Sequence, residues 1–131
     1  MQEVTPQDIE FMRQACLLCD NSTLEVRTGC VIVFDRGVVS AEGWNVSEKH
    51  AEVMALEKAY LASSSLINAT VYVTRFPCED CAKKLTKNGI SKLFYMSDHF
   101  SSGNSALPLL KASNIPVIQI LENQVWDTIS I

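Results

Sequence analysis

Apolar residues recur along this chain first every three or four positions, then every second position or in unbroken β-branched runs. The alternation between these periods lays out the fold. Thr5-Pro6-Gln7-Asp8 combines a hydroxyl cap, a proline at the first helical position and an acid in the first turn, and predicts a helix start. Ile9, Met12, Cys16 and Cys19 follow at helical spacing as its expected buried stripe, and Asp20-Asn21-Ser22 ends it. Residues 30–35 and 38–41, joined by Arg36-Gly37, predict a hairpin that Gly43-Trp44-Asn45 leaves. A helix is expected over 50–62 with Val53, Leu56 and Tyr60 inward, then a serine-rich connection and a strand over 70–74. Residues 78–88 predict a helix closed by Gly89, 92–96 a strand, 107–113 a short helix that tolerates Pro108 in its first turn, and 116–121 a last strand. Helices and strands alternating after an antiparallel opening predict an α/β layer fold with a mixed sheet. The tail, 122–131, carries Val125, Trp126 and Ile129 and is apolar enough to pack on the domain or on a neighbour.

Composition narrows the class. At 131 residues the chain is expected to be one domain, 1–131, able to bury an ordinary core. The first residues lack the basic and apolar regions of a signal peptide, and nowhere do about 18 apolar residues run together, so no membrane partner is expected. Five cysteines, three of them (Cys16, Cys19, Cys30) inside apolar periodic segments, read as reduced thiols and favour a cytoplasmic location. A net charge of −4 disfavours a nucleic-acid partner, because Lys83, Lys84 and Lys87, the densest basic group, read as the solvated face of one helix.

Chemistry is concentrated in His50-Ala51-Glu52 and Pro77-Cys78-Glu79-Asp80-Cys81. A Cys-x-x-Cys pair places two sulfurs about one helical turn apart, a span that one tetrahedral zinc bridges at ~2.3 Å per bond. A single His gives a third ligand and leaves the fourth position open to water, which separates catalytic from structural zinc. Glu52, beside that position without being a ligand, is the expected catalytic proton carrier. A lone Cys-x-x-Cys is equally a redox pair, half a structural site or two buried apolar residues. His-x-Glu, an intervening strand and Pro-Cys-x-x-Cys together are far more specific. The second pair, Cys16-x-x-Cys19, lies on an apolar stripe and is read as core. Both ligand groups fall at starts of consecutive helices, whose dipoles are expected to converge and help keep both cysteines as thiolates.

These motifs resemble the cytidine and deoxycytidylate deaminase superfamily, nearest the deoxycytidylate (dCMP) deaminases. Phe76-Pro77-Cys78-Glu79-Asp80-Cys81-Ala82-Lys83, Asn88-Gly89-Ile90 and Phe94-Tyr95-Met96-Ser97-Asp98 carry the resemblance. It implies a three-layer αβα fold on a five-stranded mixed sheet, and zinc held by His50, Cys78 and Cys81. It also implies hydrolytic deamination of a cytosine nucleotide or nucleoside, dCMP-like, to the uracil product and ammonia. Thr28 resembles the start of the strand lining the base pocket and Asn45 the residue that contacts the sugar. Phe100 stands where the group usually has Tyr near the base, and Ala51 is counted among the substrate-binding residues. Arg27 and Arg75 are phosphate candidates by position. The resemblance, with an apolar fraction of 47%, implies a homo-oligomer. The long insertion that the dCMP group usually carries for nucleotide regulation is replaced here by Val46-Ser47-Glu48-Lys49.

Two alternatives stand beside this. One is deamination of another ring: adenine in tRNA, guanine or a riboflavin-pathway pyrimidine. The net acidity counts against tRNA, and so does Phe76, where the tRNA-adenosine group typically has Glu. The other is an inactive, zinc-stabilised regulatory module, against which Glu52 counts because a structural zinc has no need of it.

Overall fold

The computed structural model describes residues 4–34, 37–62, 65–97 and 106–126. Its first helix, α1 (Pro6–Leu18), opens on a capping box. Thr5 Oγ1 accepts the Asp8 N–H at 3.1 Å and Asp8 Oδ2 accepts the Thr5 N–H at 2.9 Å. Strands β1 (Gly29–Phe34) and β2 (Val39–Trp44) form the antiparallel hairpin, which extends three residues beyond the expected 41. Then come α2 (Ala51–Ala62), β3 (Thr70–Arg75), α3 (Glu79–Lys87), β4 (Lys92–Ser97), α4 (Ala106–Ala112), β5 (Val117–Gln119) and a short α5 (Glu122–Trp126).

The sheet order is β2-β1-β3-β4-β5, antiparallel from β2 to β3 and parallel from β3 to β5. The expected five-stranded mixed sheet is present, with helices on both faces. On one face α1 and α5 bury Met12, Ala15, Leu18 and Val125 against Val31, Tyr72, Phe94 and Ile118. On the other, α2, α3 and α4 bury Ala55, Ala59, Leu85 and Leu110 against Ile32, Val71, Val73 and Leu93. Each large side chain so buried contributes roughly 1.5–3 kcal/mol. Among the described residues no helix is long and apolar enough to cross a membrane.

Two glycines set how closely the helices approach. A Cβ at Gly29 would stand 1.9 Å from the Ala15 carbonyl oxygen, and one at Gly43 would stand 2.2 Å from that of Ala51. Backbone therefore lies on backbone at the starts of both packing surfaces. This corrects two expected stripes. Met12, Ala15 and Leu18 face the sheet from α1, whereas Cys16 and Cys19 are half-buried at its flank. In α2 the buried positions are Ala51, Glu52, Ala55, Leu56 and Ala59, and Tyr60 is exposed. The tail packs on the domain through the fully buried Val125, whose carbonyl accepts from Arg13 Nη2 at 2.6 Å. Residues 127–131 lie outside the described residues.

Candidate metal centre and active site

Strand β3 delivers the chain to the site, and the starts of α2 and α3 meet over its end. His50 directly precedes α2. Cys78 has extended backbone and is the N-cap of α3, so the helix begins at Glu79, one residue later than expected. Cys81 lies inside the first turn of α3 and is buried, while His50 and Cys78 are exposed. His50 Nδ1 stands 3.2 Å from Cys81 Sγ and 3.6 Å from Cys78 Sγ, and the three donor atoms lie within 4.8 Å of one another. A tetrahedral zinc with ordinary Zn–N and Zn–S bonds separates such donors by roughly 3.6 Å. The donor set is thus of the right kind and spacing for zinc. Among the described residues it is the only such group, and Cys16 and Cys19 join no second one. Cys16 Sγ lies 3.7 Å from Met96 Sδ, and Cys19 Sγ lies 3.7 Å from Thr74 Oγ1.

Glu52, in the first turn of α2, is 4% exposed. Burial raises its carboxyl pKa, opposed by its own backbone N–H and by the positive charges of His50 and Arg75. The Cys81 thiol is also held well above its ordinary range, chiefly by burial and then by the charges of Glu52 and Cys78. A buried thiol beside a buried carboxylate is an arrangement that a divalent cation relieves by supplying the missing positive charge.

The expected substrate-binding residues fall into three groups. Thr28 is buried at the entry to β1, and Asn45 leaves β2 beside it. The Asn45 amide joins two backbone segments, its Oδ1 accepting from Thr28 N–H at 2.8 Å and its Nδ2 donating to the Val26 carbonyl at 2.7 Å. Ser22 Oγ donates to the Asn45 carbonyl at 2.8 Å, so the approach to β1 is tied to the exit from β2. Ala51 is fully buried against Gly43 and acts in packing α2. Phe100 lies outside the described residues. Of the two arginines, Arg27 is exposed and bonds the Leu24 carbonyl at 3.4 Å, whereas half-buried Arg75 donates from Nη1 to Thr28 Oγ1 at 3.4 Å. Cys30, expected as a reduced thiol in an apolar segment, is a free and buried cysteine. Fully buried, it is close enough to Glu52 and Cys81 for their charges to add to burial in raising its pKa. Its position inside a β-branched run gave only a packing signal.

A mixed αβα sheet with a His–Cys–Cys group at two helix starts and a buried glutamate beside it defines the class. The chain belongs to the cytidine and deoxycytidylate deaminase family, whose zinc-binding region matches residues 5–97. It is similar to the tRNA-specific adenosine deaminase of Haemophilus influenzae, 32% identical in an alignment 106 residues long that covers 73% of this chain and 61% of that protein. It is also similar to the deoxycytidylate deaminase of Enterobacteria phage T2, 36% identical over 84 residues, 64% of this chain and 44% of that one. In each case the matched segment is less than two thirds of the relative's length. In fold it matches the crystal structure of the dCMP deaminase from cyanophage S-TIM5 in complex with dCMP and dUMP. The TM-score is 0.77 at 24% identity, covering 90% of this chain and 100% of that one.

Proposed function

We propose that the protein is a zinc-dependent hydrolase that removes the exocyclic amine of a cytosine nucleotide or nucleoside, with a dCMP-like substrate, to give the uracil product and ammonia. The observation that carries this reading is a buried carboxylate, Glu52, two residues from a His–Cys–Cys group with zinc-like spacing. Zinc, held by His50, Cys78 and Cys81, supplies the Lewis acidity that makes a water nucleophilic at neutral pH. Glu52 accepts one proton from the water and passes it to ring N3, then takes the second proton from the new C4 hydroxyl and passes it to the departing amine. A C4–O bond forms, the C4–N bond breaks, and the amine leaves as ammonia. Burial suits Glu52 to this work, because it raises the carboxyl pKa and so makes the protonated form easier to reach. Thr28, Asn45 and Phe100 complete the substrate site in this reading, and Ala51 presents backbone at its edge.

The phage relative and the acidic net charge support a small cytosine substrate. Lys83, Lys84 and Lys87 are all exposed on α3, and Glu79 pairs with Lys83 at 3.7 Å, as on an ordinary solvated face. Adenine in tRNA is the second reading, favoured by the longer alignment with the Haemophilus influenzae relative. Ammonia release from cytosine nucleosides and mono- and triphosphates, guanine and tRNA decides between them. The first reading expects turnover confined to cytosine substrates; turnover of tRNA alone replaces it, and no turnover of any substrate by zinc-loaded protein leaves the regulatory module. We further propose that the 131 residues act as one domain within a homo-oligomer.

A further inference from the structure

The second Cys-x-x-Cys lies outside the core that its spacing suggested. Cys16 and Cys19 are free, half-buried thiols at the end of α1, across the sheet from α2 and α3. Strand alternation fixes what lies beneath them. Tyr72 and Phe94 face α1, and the two-residue period brings Thr74 of β3 and Met96 of β4 to that same face. The β3–β4 register, with Val73 opposite Tyr95 and Arg75 opposite Ser97, sets Thr74 beside Met96. The two thiols stand over that pair. Cys16 Sγ lies 3.7 Å from Met96 Sδ, and Cys19 Sγ lies 3.7 Å from Thr74 Oγ1 and 3.8 Å from the Ala15 carbonyl oxygen. Two thiols one helical turn apart and a thioether from a separate strand thus gather at one half-buried place.

Three sulfurs suit a soft ion. A trigonal ion with metal–sulfur bonds of about 2.3 Å separates its donors by roughly 4 Å, so Cys16 and Met96 already stand at ligand spacing. Among the described residues no group of three His, Cys, Asp or Glu donors forms around Cys16 and Cys19, which leaves zinc without its usual ligand set there. Thiolate and thioether together favour Cu(I). The backbone disfavours a disulfide between the two cysteines. Cys19 is helical at φ −58° and ψ −28°. Helical residues three apart hold their Cβ atoms about 5–6 Å apart, whereas a disulfide needs about 3.5–4.5 Å. A bridging ion spans the longer gap.

We propose that Cys16, Cys19 and Met96 form a second metal site, which takes a soft monovalent cation, Cu(I), as a three-sulfur centre. Each thiol releases its proton to solvent as its sulfur binds, and the oxidation state of the copper does not change. The bound ion ties the end of α1 to β4 and leaves His50, Cys78 and Cys81 to zinc. The site does not depend on which base is deaminated.

The test titrates zinc-loaded protein with Cu(I) in the absence of oxygen, against a colorimetric Cu(I) chelator, and measures copper and zinc per chain. Wild type should take up a single copper and keep its zinc, and its melting temperature should rise with copper, as binding to the folded state requires. Cys16→Ser/Cys19→Ser should keep zinc and take up no copper. Met96→Leu should weaken copper binding at least about 10-fold, since even groups that only support a ligand are worth that much. X-ray absorption at the copper edge should show sulfur neighbours alone. Zinc released one for one with copper taken up, or a nitrogen neighbour on copper, would place the copper on His50 and its partners and overturn the assignment. So would no copper uptake by wild type, or unchanged uptake in the double-cysteine variant, either of which leaves the three sulfurs as packing. If the double variant does not fold, by melting and zinc content, Met96→Leu decides: unchanged copper affinity overturns the three-sulfur site.

Discussion

Glu52, two residues from the candidate zinc ligand His50, is buried, where a carboxyl meets little competing water. In Glu52→Gln the side chain keeps its shape and loses the proton. Turnover should fall by at least ~10²–10⁴ while zinc content stays stoichiometric; wild-type rates in that variant would end the proposed mechanism. The same substitution has a stability consequence in metal-stripped protein. The folded-state pKa of Glu52 is raised by burial, so the native state binds more protons than the unfolded one, and stability contributed by the protonated form is lost as pH rises through the folded value. Metal-free Glu52→Gln should therefore melt above metal-free wild type at neutral pH and lose that advantage toward acid; scanning calorimetry from acid to neutral pH checks the sign. Cys81 invites the opposite experiment. Its sulfur is one of three donor atoms within 4.8 Å of one another, so Cys81→Ser should abolish zinc retention in metal analysis, whereas retained stoichiometric zinc would remove Cys81 from the ligand set.

At the scale of elements, what could be read from the sequence was short-range chemistry, and what could not was the depth of packing. The Thr5–Asp8 capping box, the Gly89 close of α3 and the His-x-Glu and Cys-x-x-Cys signatures each depend on residues a few positions apart. The strand between the two motifs needed only its β-branched run. The helix faces were misplaced because hydrophobicity alone does not say how near a helix lies. Gly29 admits the α1 backbone at Ala15, which shifts the buried stripe to Met12, Ala15 and Leu18. Gly43 admits the α2 backbone at Ala51, so alanines every fourth residue face the sheet while Tyr60 and Leu61 turn outward. Gly43 thereby holds Glu52 over the site, which suggests a test outside the ligand set. Gly43→Ala places a Cβ 2.2 Å from the Ala51 oxygen and must lift α2. The expected cost is about 1–3 kcal/mol of stability, together with a lower kcat. A variant with unchanged melting and kcat would show that the close approach is dispensable.

For the whole molecule, the outward residues at one end raise the question of a partner. Tyr60 is 56%, Leu61 89% and Ile67 70% exposed. Tyr60 Oη donates to Asn88 Oδ1 at 2.7 Å, and Ile67 lies against Gly89, so both flank the end of α3. Apolar side chains left at one end of a small domain fit burial against a second copy. Light scattering at micromolar concentration should give at least a dimer, and an active monomer would contradict the proposal.

Regulation by a nucleotide would need an effector site, and the segment between Asn45 and His50 bounds where one could lie. Val46 N–H donates to the Lys49 carbonyl at 3.0 Å and Lys49 N–H to that of Val46 at 3.1 Å, which closes a tight turn with Glu48 at φ 67°. Lys49 Nζ is engaged by Glu57 Oε1 at 2.8 Å. Four residues already bonded to one another across a turn cannot also wrap a nucleoside triphosphate, since even fully extended they would reach only ~14 Å. An effector shifts an enzyme only by binding two of its states unequally, and this turn offers no second pocket from which such a preference could arise. Rate against substrate concentration should therefore be hyperbolic, with deoxycytidine or thymidine triphosphate acting only as a competitor whose effect vanishes at saturating substrate. A sigmoidal curve that becomes hyperbolic on adding deoxycytidine triphosphate would place an effector site elsewhere in the assembly, and with it a second conformation that this turn does not provide.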